Sequence, residues 1–383
     1  MNKITVPLLR RARLVVVVLG AIVCLVPWCR GQGPASATSA AEGAAKQSRA
    51  ADKASYPMEL SPEGESIAKQ LDKELAPGSE ARAMFEAIME GKRLTPRIGW
   101  FATATSQTRY SWPKTLERYD QNKDGTVQPS ELPIDGKQFA SIDRDQDGRL
   151  TQVDFDWDLA PKPEIKPEAK AEEKGEAANS KSEFVSNISR DLLIKGLKSQ
   201  EIGSLQPGPN VGEQAPDFEL NTVDGSMKIR LSELIGDKPV VLVFGNYTCA
   251  PFRRAAEGVK EVYDRYKDHA QFAMVYVREA HPSDGWRMNQ GADKISLPQP
   301  ITDSQRVEVA KQCQAHVGFK MPFLVDTVDD RVGSVYSGMP SRLYLIDQQG
   351  QVAYKSGRGP FGFKPAELEQ ALVLHLADRA KAK

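Results

Sequence analysis

KPVVLVFGNYTCAPFRRAAEGVKEVYDRYKD, Lys238–Asp268, sets the terms for the rest of the chain. The apolar run Val240–Phe244, rich in β-branched valine, predicts a strand buried on both faces. From Phe252 onward the apolar residues recur at helical spacing, so a helix follows almost at once. One cysteine, Cys249, stands at the joint, with no second cysteine in a CxxC spacing. At a helix N-terminus the free N–H groups and the macrodipole favour a thiolate, which predicts a lowered pKa for Cys249.

Working outward, QFAMVYVRE reads as a second strand, RVEVAKQCQAHVG as a helix and MPFLVDT as a short strand. RLYLID and QVAYKSG form a hairpin around QQG, and AELEQALVLHLADRA closes as a helix. This β-α-β-α-β-β-α order is that of an α/β thioredoxin-like fold, with parallel central strands fed by crossover helices. Met339–Pro340 falls where such folds keep a cis proline beside the active site.

Neighbouring residues narrow the thiol chemistry. A dithiol exchanger needs CxxC, and Cys249 is followed by Ala250, Pro251 and Phe252. The Thr/Ser and Pro that precede a peroxiredoxin cysteine by three and seven residues are Asn246 and Leu242 here. The next predicted strand carries Glu279 and His281 near its C-terminal end, two residues apart and therefore on one face. They form a proton-donating pair for a reaction with Cys249 as nucleophile. Cys313 shares an apolar helical stripe with Val309 and Val317, which favours packing over a resolving role.

A different chemistry lies upstream. DQNKDGTVQPSE, Asp120–Glu131, has the EF-hand pattern: oxygen side chains at loop positions 1, 3 and 5, Gly at 6 and Glu at 12. Asp120, Asn122, Asp124, the Thr126 carbonyl and Glu131 are its candidate Ca2+ ligands. DRDQDGRLTQVD repeats the pattern with Asp143, Asp145, Asp147, the Arg149 carbonyl and Asp154, one methylene shorter than Glu at position 12. KQFASI is the short helix between the loops, and GESIAKQLDKEL with EARAMFEAIMEG are helices expected to cover the calcium pair. The module is thus small and α-helical.

The 51 basic residues balance 51 acidic ones, and Lys/Arg cluster only in the first thirteen residues, which argues against a nucleic-acid partner. Those residues precede LVVVVLGAIVCLVPW, Leu14–Trp28, shorter than the roughly 20 residues of a spanning helix. This reads as a signal peptide, residues 1–37, cleaved at or before Ala37, so that the protein is exported, periplasmic or secreted. An uncleaved segment 14–28 serving as a membrane tether is the alternative. Cleavage removes Cys24 and Cys29 and leaves Cys249 and Cys313, too few for a disulfide framework. Residues 38–55 and 160–182 read as flexible linkers, dividing the helical module 56–159 from the redox domain 183–383 and implying that the two work independently.

The residues now on view resemble the iodothyronine deiodinases. In that family selenocysteine is followed by Pro-Pro-Phe; TCAPF is similar, with Cys249 in the selenocysteine position. EAHPSDGW, FLVDT, MPSRLYLID and YKSGRGPFGFKPAELEQAL are similar to family segments in the same order, over roughly Pro207–Leu376. The resemblance implies reductive removal of iodine from an aromatic ring, with Cys249 as nucleophile, Glu279 and His281 in the proton network, Thr248 adjacent and an external thiol as reductant. Pro340 and Phe252 are candidates for contacting the small-molecule substrate. Tyr247 stands where some members carry a further cysteine, and Pro300 where a histidine is expected. Two alternatives stay open, a thiol peroxidase or reductase on the same scaffold and a non-catalytic calcium-binding surface protein.

Overall fold

The apolar run becomes the centre of an eight-stranded mixed sheet in the computed structural model, which describes residues 56–92, 105–157, 188–285 and 295–381. The strands are β1 (Gln107–Thr108), β2 (Glu219–Thr222), β3 (Lys228–Arg230), β4 (Val240–Gly245), β5 (Gln271–Tyr276), β6 (Phe323–Val325), β7 (Arg342–Ile346) and β8 (Val352–Lys355). Their order is β1-β8-β7-β4-β5-β6-β2-β3. Strands β4, β5 and β6 are parallel, while β7 and β8 run antiparallel to their neighbours, the arrangement of a thioredoxin-like fold. Every residue of β4 is buried, because helices cover both faces. The three short strands β1, β2 and β3 extend the sheet beyond the sequence expectation.

Helix α8 (Ala250–Tyr266) follows β4, α9 (Asp303–Val317) joins β5 to β6, and α11 (Pro365–Lys381) closes the chain. Gly245 explains how the chain passes from β4 into α8 in so few residues. A Cβ there would lie 2.4 Å from the Phe252 ring, so only glycine lets the first turn of α8 fold back against the strand end.

The upstream helices α1 (Pro62–Glu74) and α2 (Glu80–Met89) form where expected, each N-capped by a serine, Ser61 and Ser79. Their apolar faces do not cover the acidic loops. Leu71, Met84, Phe85 and Ile88 pack instead against Ile188, Leu193, Ile194 and Leu197 around α6 (Arg190–Lys198).

Nor do the acidic loops stand apart from the redox domain. Residues 105–157 contribute β1, α3 (Trp112–Tyr119), α4 (Gly136–Ile142) and α5 (Gln152–Phe155). Tyr110, Tyr119, Phe139, Ile142 and Leu150 share one apolar core with Leu372 and Val373 of α11 and with Val241 of β4. The physical reason is written on α11, whose polar residues Glu369, Gln370 and His375 are buried and need partners. Gln370 donates to the Asp154 carbonyl at 3.0 Å and accepts from Trp157 Nε1 at 2.9 Å. His375 Nδ1 lies 2.7 Å from the Tyr110 hydroxyl, and Glu369 binds Arg265 and Tyr266 of α8. All described residues belong to one compact unit, Asp52–Lys383; the boundary expected at residues 160–182 lies outside the described residues.

The expected signal segment 1–37 and both expected linkers lie outside the described residues. No helix among the described residues is long and apolar enough to cross a membrane.

Candidate active site

Cys249 is the N-cap of α8, held at the C-terminal end of β4, where a parallel sheet presents its functional loops. Across from it the Met339–Pro340 peptide is cis, as expected. The thiol itself departs from expectation. Cys249 is 1% exposed, and burial pushes its pKa up to about 11 despite the Phe252 N–H and the Arg253 charge. Glu279 raises it further. Desolvation therefore outweighs the helix N-terminus, and at neutral pH Cys249 carries its proton.

Strand β5 ends at Tyr276, so Glu279 and His281 lie in the loop beyond it and do not share a strand face. The loop brings both to Thr248 by another route. Glu279 Oε2 accepts the Thr248 backbone N–H at 2.8 Å, and the His281 N–H donates to Thr248 Oγ1 at 3.0 Å. Glu279 is completely buried, and desolvation raises its pKa, so it is biased toward the protonated form. Tyr276, which sequence reasoning missed, donates its hydroxyl proton to Glu279 Oε1. The same hydroxyl accepts from the Tyr247 N–H at 3.3 Å. Its signal was the three-residue spacing Tyr276–Glu279 across a strand end. Gln299, also missed, binds the Glu279 main chain on both sides, accepting its N–H at 3.0 Å and donating to its carbonyl at 3.3 Å.

Phe252 and Pro340 behave differently from substrate contacts. Phe252 has no exposed surface; its ring packs edge-on against Phe319 and Phe363 as part of the core. Pro340 is buried too, and its contribution is a carbonyl turned toward the Cys249 loop. Cys313 is fully buried in the same apolar cluster as Cys249, and burial drives its pKa well up. Tyr247, in the place of a second cysteine, stacks edge-on against His316 and lies beneath the Arg253 guanidinium. Pro300 lines a cavity of about 500 Å³ with Gln299, Ile301, Gln305 and Val309, next to the loop that holds Glu279.

The two acidic loops have matching geometry. In the first, Glu131 accepts from the Gln121 N–H at 2.8 Å and the Gln128 N–H at 2.9 Å. In the second, Asp154 accepts from the Arg144 N–H and the Thr151 N–H, each at 2.7 Å, at the same loop positions despite the shorter side chain. Val127 and Leu150 exchange both backbone hydrogen bonds, tying loop to loop. Lys123 and Gln146 at position 4, and Gly125 and Gly148 at position 6, take positive φ in both. Carboxylate oxygens of Asp143, Asp145 and Asp147 lie within 4.8 Å of one another. Asp120, Asn122 and Asp124 curl around the first loop through bonds to the Asp124, Gly125 and Thr126 amides. This is a hard-oxygen donor set that fits Ca2+. Arg149 adds a feature the sequence reading lacked, since its guanidinium pairs with Asp147 at 3.0 Å.

A thioredoxin-like domain with one cysteine capping the helix after its central strand, and a buried carboxyl beside it, defines the class of the protein. The profile of the iodothyronine deiodinase family matches residues 169–375, and the chain belongs to that family. Thyroxine 5-deiodinase of Gallus gallus is 34% identical over 188 residues, 48% of this chain and 71% of that protein. The Aquarana catesbeiana enzyme of the same name is 31% identical over 192 residues, 49% and 70% of the respective chains. Among solved structures, the thioredoxin domain of a thiol-disulfide oxidoreductase from Bacteroides vulgatus aligns with a TM-score of 0.30 at 17% identity, covering 44% of this chain and 96% of that one. The protein is thus a deiodinase-like oxidoreductase.

Proposed function

We propose that this protein removes iodine reductively from an iodinated aromatic compound, with Cys249 as nucleophile and an external thiol as reductant. The observation that carries this reading is a single buried cysteine capping the helix after β4, next to Thr248, whose amide is held by the buried Glu279 carboxyl. Sulfur attacks iodine, the C–I bond breaks, an S–I bond forms, and the electron pair left on carbon takes up a proton. The sum is Ar–I + Cys249–SH → Ar–H + Cys249–S–I, the thiol proton leaving sulfur as it attacks iodine and ending on the ring carbon. Glu279, Thr248 and His281 move that proton between sulfur and carbon. One external thiol then displaces iodide as HI and forms a mixed disulfide; a second releases Cys249–SH and departs as the oxidised disulfide. The cavity beside Gln299 and Pro300, where Ile301 and Val309 join the polar Asp284, Ser304, Gln305 and Glu308, is where the reading places the substrate.

Iodide release from iodotyrosines and iodothyronines, measured with several thiol donors, tests this directly. Hydrogen peroxide consumption without iodide release would replace it with the peroxidase reading, and neither activity would leave the non-catalytic one. The protein is exported, its Leu14–Trp28 segment acting as signal or tether.

The acidic loops bind two Ca2+ ions, supported by their matching geometry and oxygen donors. Asp120, Asn122, Asp124, Thr126 and Glu131 hold one; Asp143, Asp145, Asp147, Arg149 through its carbonyl, and Asp154 hold the other. Because the loops pack on α11, Ca2+ at a hundredfold excess over its Kd should stabilise the whole domain by ~2.7 kcal/mol for each occupied loop, about 5 kcal/mol for both, in one cooperative transition. Calorimetric titration should find two ions per chain, and Glu131→Gln should lose one. No binding heat and no shift in the unfolding midpoint at millimolar Ca2+ would refute the site.

A further inference from the structure

Three separate segments build the site: the Asn246–Cys249 loop, the stretch around cis Pro340, and the loop carrying Ala280. All three are fastened to a single side chain. Asn246 is 0% exposed. Its Nδ2 donates to the Pro340 carbonyl at 2.8 Å, while its Oδ1 accepts from the Cys249 N–H at 3.0 Å and the Ala280 N–H at 3.2 Å. Oδ1 also faces Thr248 Oγ1 at 3.3 Å. The orientation of the amide is fixed by its surroundings, since a flip would set an NH2 against two backbone donors and an oxygen against a carbonyl.

We propose that Asn246 is the residue that positions Cys249 for reaction, holding its sulfur in register with the cis-proline strand and with the Glu279–His281 loop. The bond to the Cys249 N–H fixes the cap of α8 and therefore the direction in which Cβ and Sγ leave the backbone. The Phe252 N–H, in the first turn of α8, acts on the sulfur and favours its charged form. Thr248 Oγ1 accepts from the His281 N–H and donates toward Asn246 Oδ1, so Asn246 also sets where the Thr248 hydroxyl proton points. No other residue type of this size offers an acceptor for several donors and a donor for the Pro340 carbonyl at once. Asp keeps the shape and the acceptor, but turns a second oxygen on Pro340 and adds a charge beside the thiol. Ser keeps a short acceptor and cannot reach Pro340.

The inference rests on Cys249 being the nucleophile, and two readouts separate its failure from the failure of that reading. Iodoacetamide labelling of the Cys249 peptide, quantified by mass spectrometry across pH, follows the sulfur whether or not the protein releases iodide. Iodide release, resolved into kcat and KM, follows the chemistry. Asn246→Asp should lower kcat about 100-fold with KM within a factor of about three, because misplacement of a reacting atom costs that much without touching substrate affinity. It should also move the labelling profile to higher pH, and Asn246→Ser should fall between wild type and Asn246→Asp. A role in stability alone predicts a lower Tm with kcat and the labelling profile unchanged in the folded protein. That result in either variant would overturn the proposal, and Asn246→Ser decides the matter if Asn246→Asp does not fold.

Discussion

Cys249→Ser should cut iodide release by roughly 10⁴-fold or more, the scale seen when an enzyme loses its covalent nucleophile. Sulfur is polarisable and accepts iodine; a hydroxyl of nearly the same size does neither and is scarcely ionised. The fold should survive, because the serine hydroxyl takes the place of Sγ opposite the Phe252 N–H with little change in volume. Circular dichroism and the unfolding midpoint check that the variant is folded; wild-type turnover by folded Cys249→Ser would end the catalytic reading of TCAPF. The burial of Cys249 adds a pH signature. Labelling of the wild-type thiol should keep rising toward about pH 11 rather than levelling near the ordinary value of 9. The linkage runs the same way, since a thiol whose folded pKa is raised stabilises below its unfolded value and loses that contribution as pH rises through the folded one. Cys249→Ser should accordingly lose less stability than wild type between about pH 9 and 11.

The parts of the fold that the sequence announced are those where periodicity and burial agree. The Val240–Phe244 run could only be a doubly covered strand, and the apolar spacing after Phe252 could only be a helix, so β4, α8 and the cysteine between them were legible at once. β1, β2 and β3 were not, because two to four residues such as Gln107–Thr108 or Lys228–Arg230 carry no usable period. Their pairing is decided by the edges of the sheet they find. The docking of the acidic loops was missed for a related reason. AELEQALVLHLADRA looks like an ordinary amphipathic helix, and only its buried Glu369, Gln370 and His375 reveal a second set of partners. At the site, residue types and order were visible, yet the thiol's protonation state was not. The helix N-terminus is a local feature, whereas desolvation depends on the apolar cluster that buries Cys249, which draws in Phe319 and Phe363 from distant parts of the chain. Asn246 read as a mismatch to a peroxiredoxin pattern, and its four partners lie up to 94 residues away.

Glu80→Gln should destabilise the domain by ~3–5 kcal/mol, the cost of leaving buried cations without their counter-charge. Glu80 opens α2 and reaches Arg342 at the start of β7, with Glu80 Oε1 3.2 Å from Nη1 and Oε2 2.5 Å from Nη2. Its Oε2 also lies 3.2 Å from Arg358 Nη2. Arg342 and Arg358 are both buried, so one carboxylate answers two guanidinium groups, with the buried Lys355 ammonium also within its field, in a setting with little water to screen them. The surrounding structure responds as expected. Although burial opposes it, the charges of Arg342 and Arg358 pull the Glu80 pKa down to about 2, and desolvation with the Arg342 charge brings Lys355 down to about 8. A fall from 4.5 to about 2 corresponds to ~3 kcal/mol, in line with the mutational figure. The sign follows from a depressed carboxyl: its contribution is present above the unfolded value and is lost as pH falls from 4.5 toward about 2. Urea unfolding of wild type and Glu80→Gln across this range should therefore show a large gap at pH 7 that closes on acidification. The variant should lose iodide release in proportion to the fraction unfolded, because Arg342 lies two residues past cis Pro340 and touches no reacting group. A gap below about 1 kcal/mol at pH 7 would mean that the arginines find another partner, and that α1 and α2 are held on the domain by their apolar contacts alone.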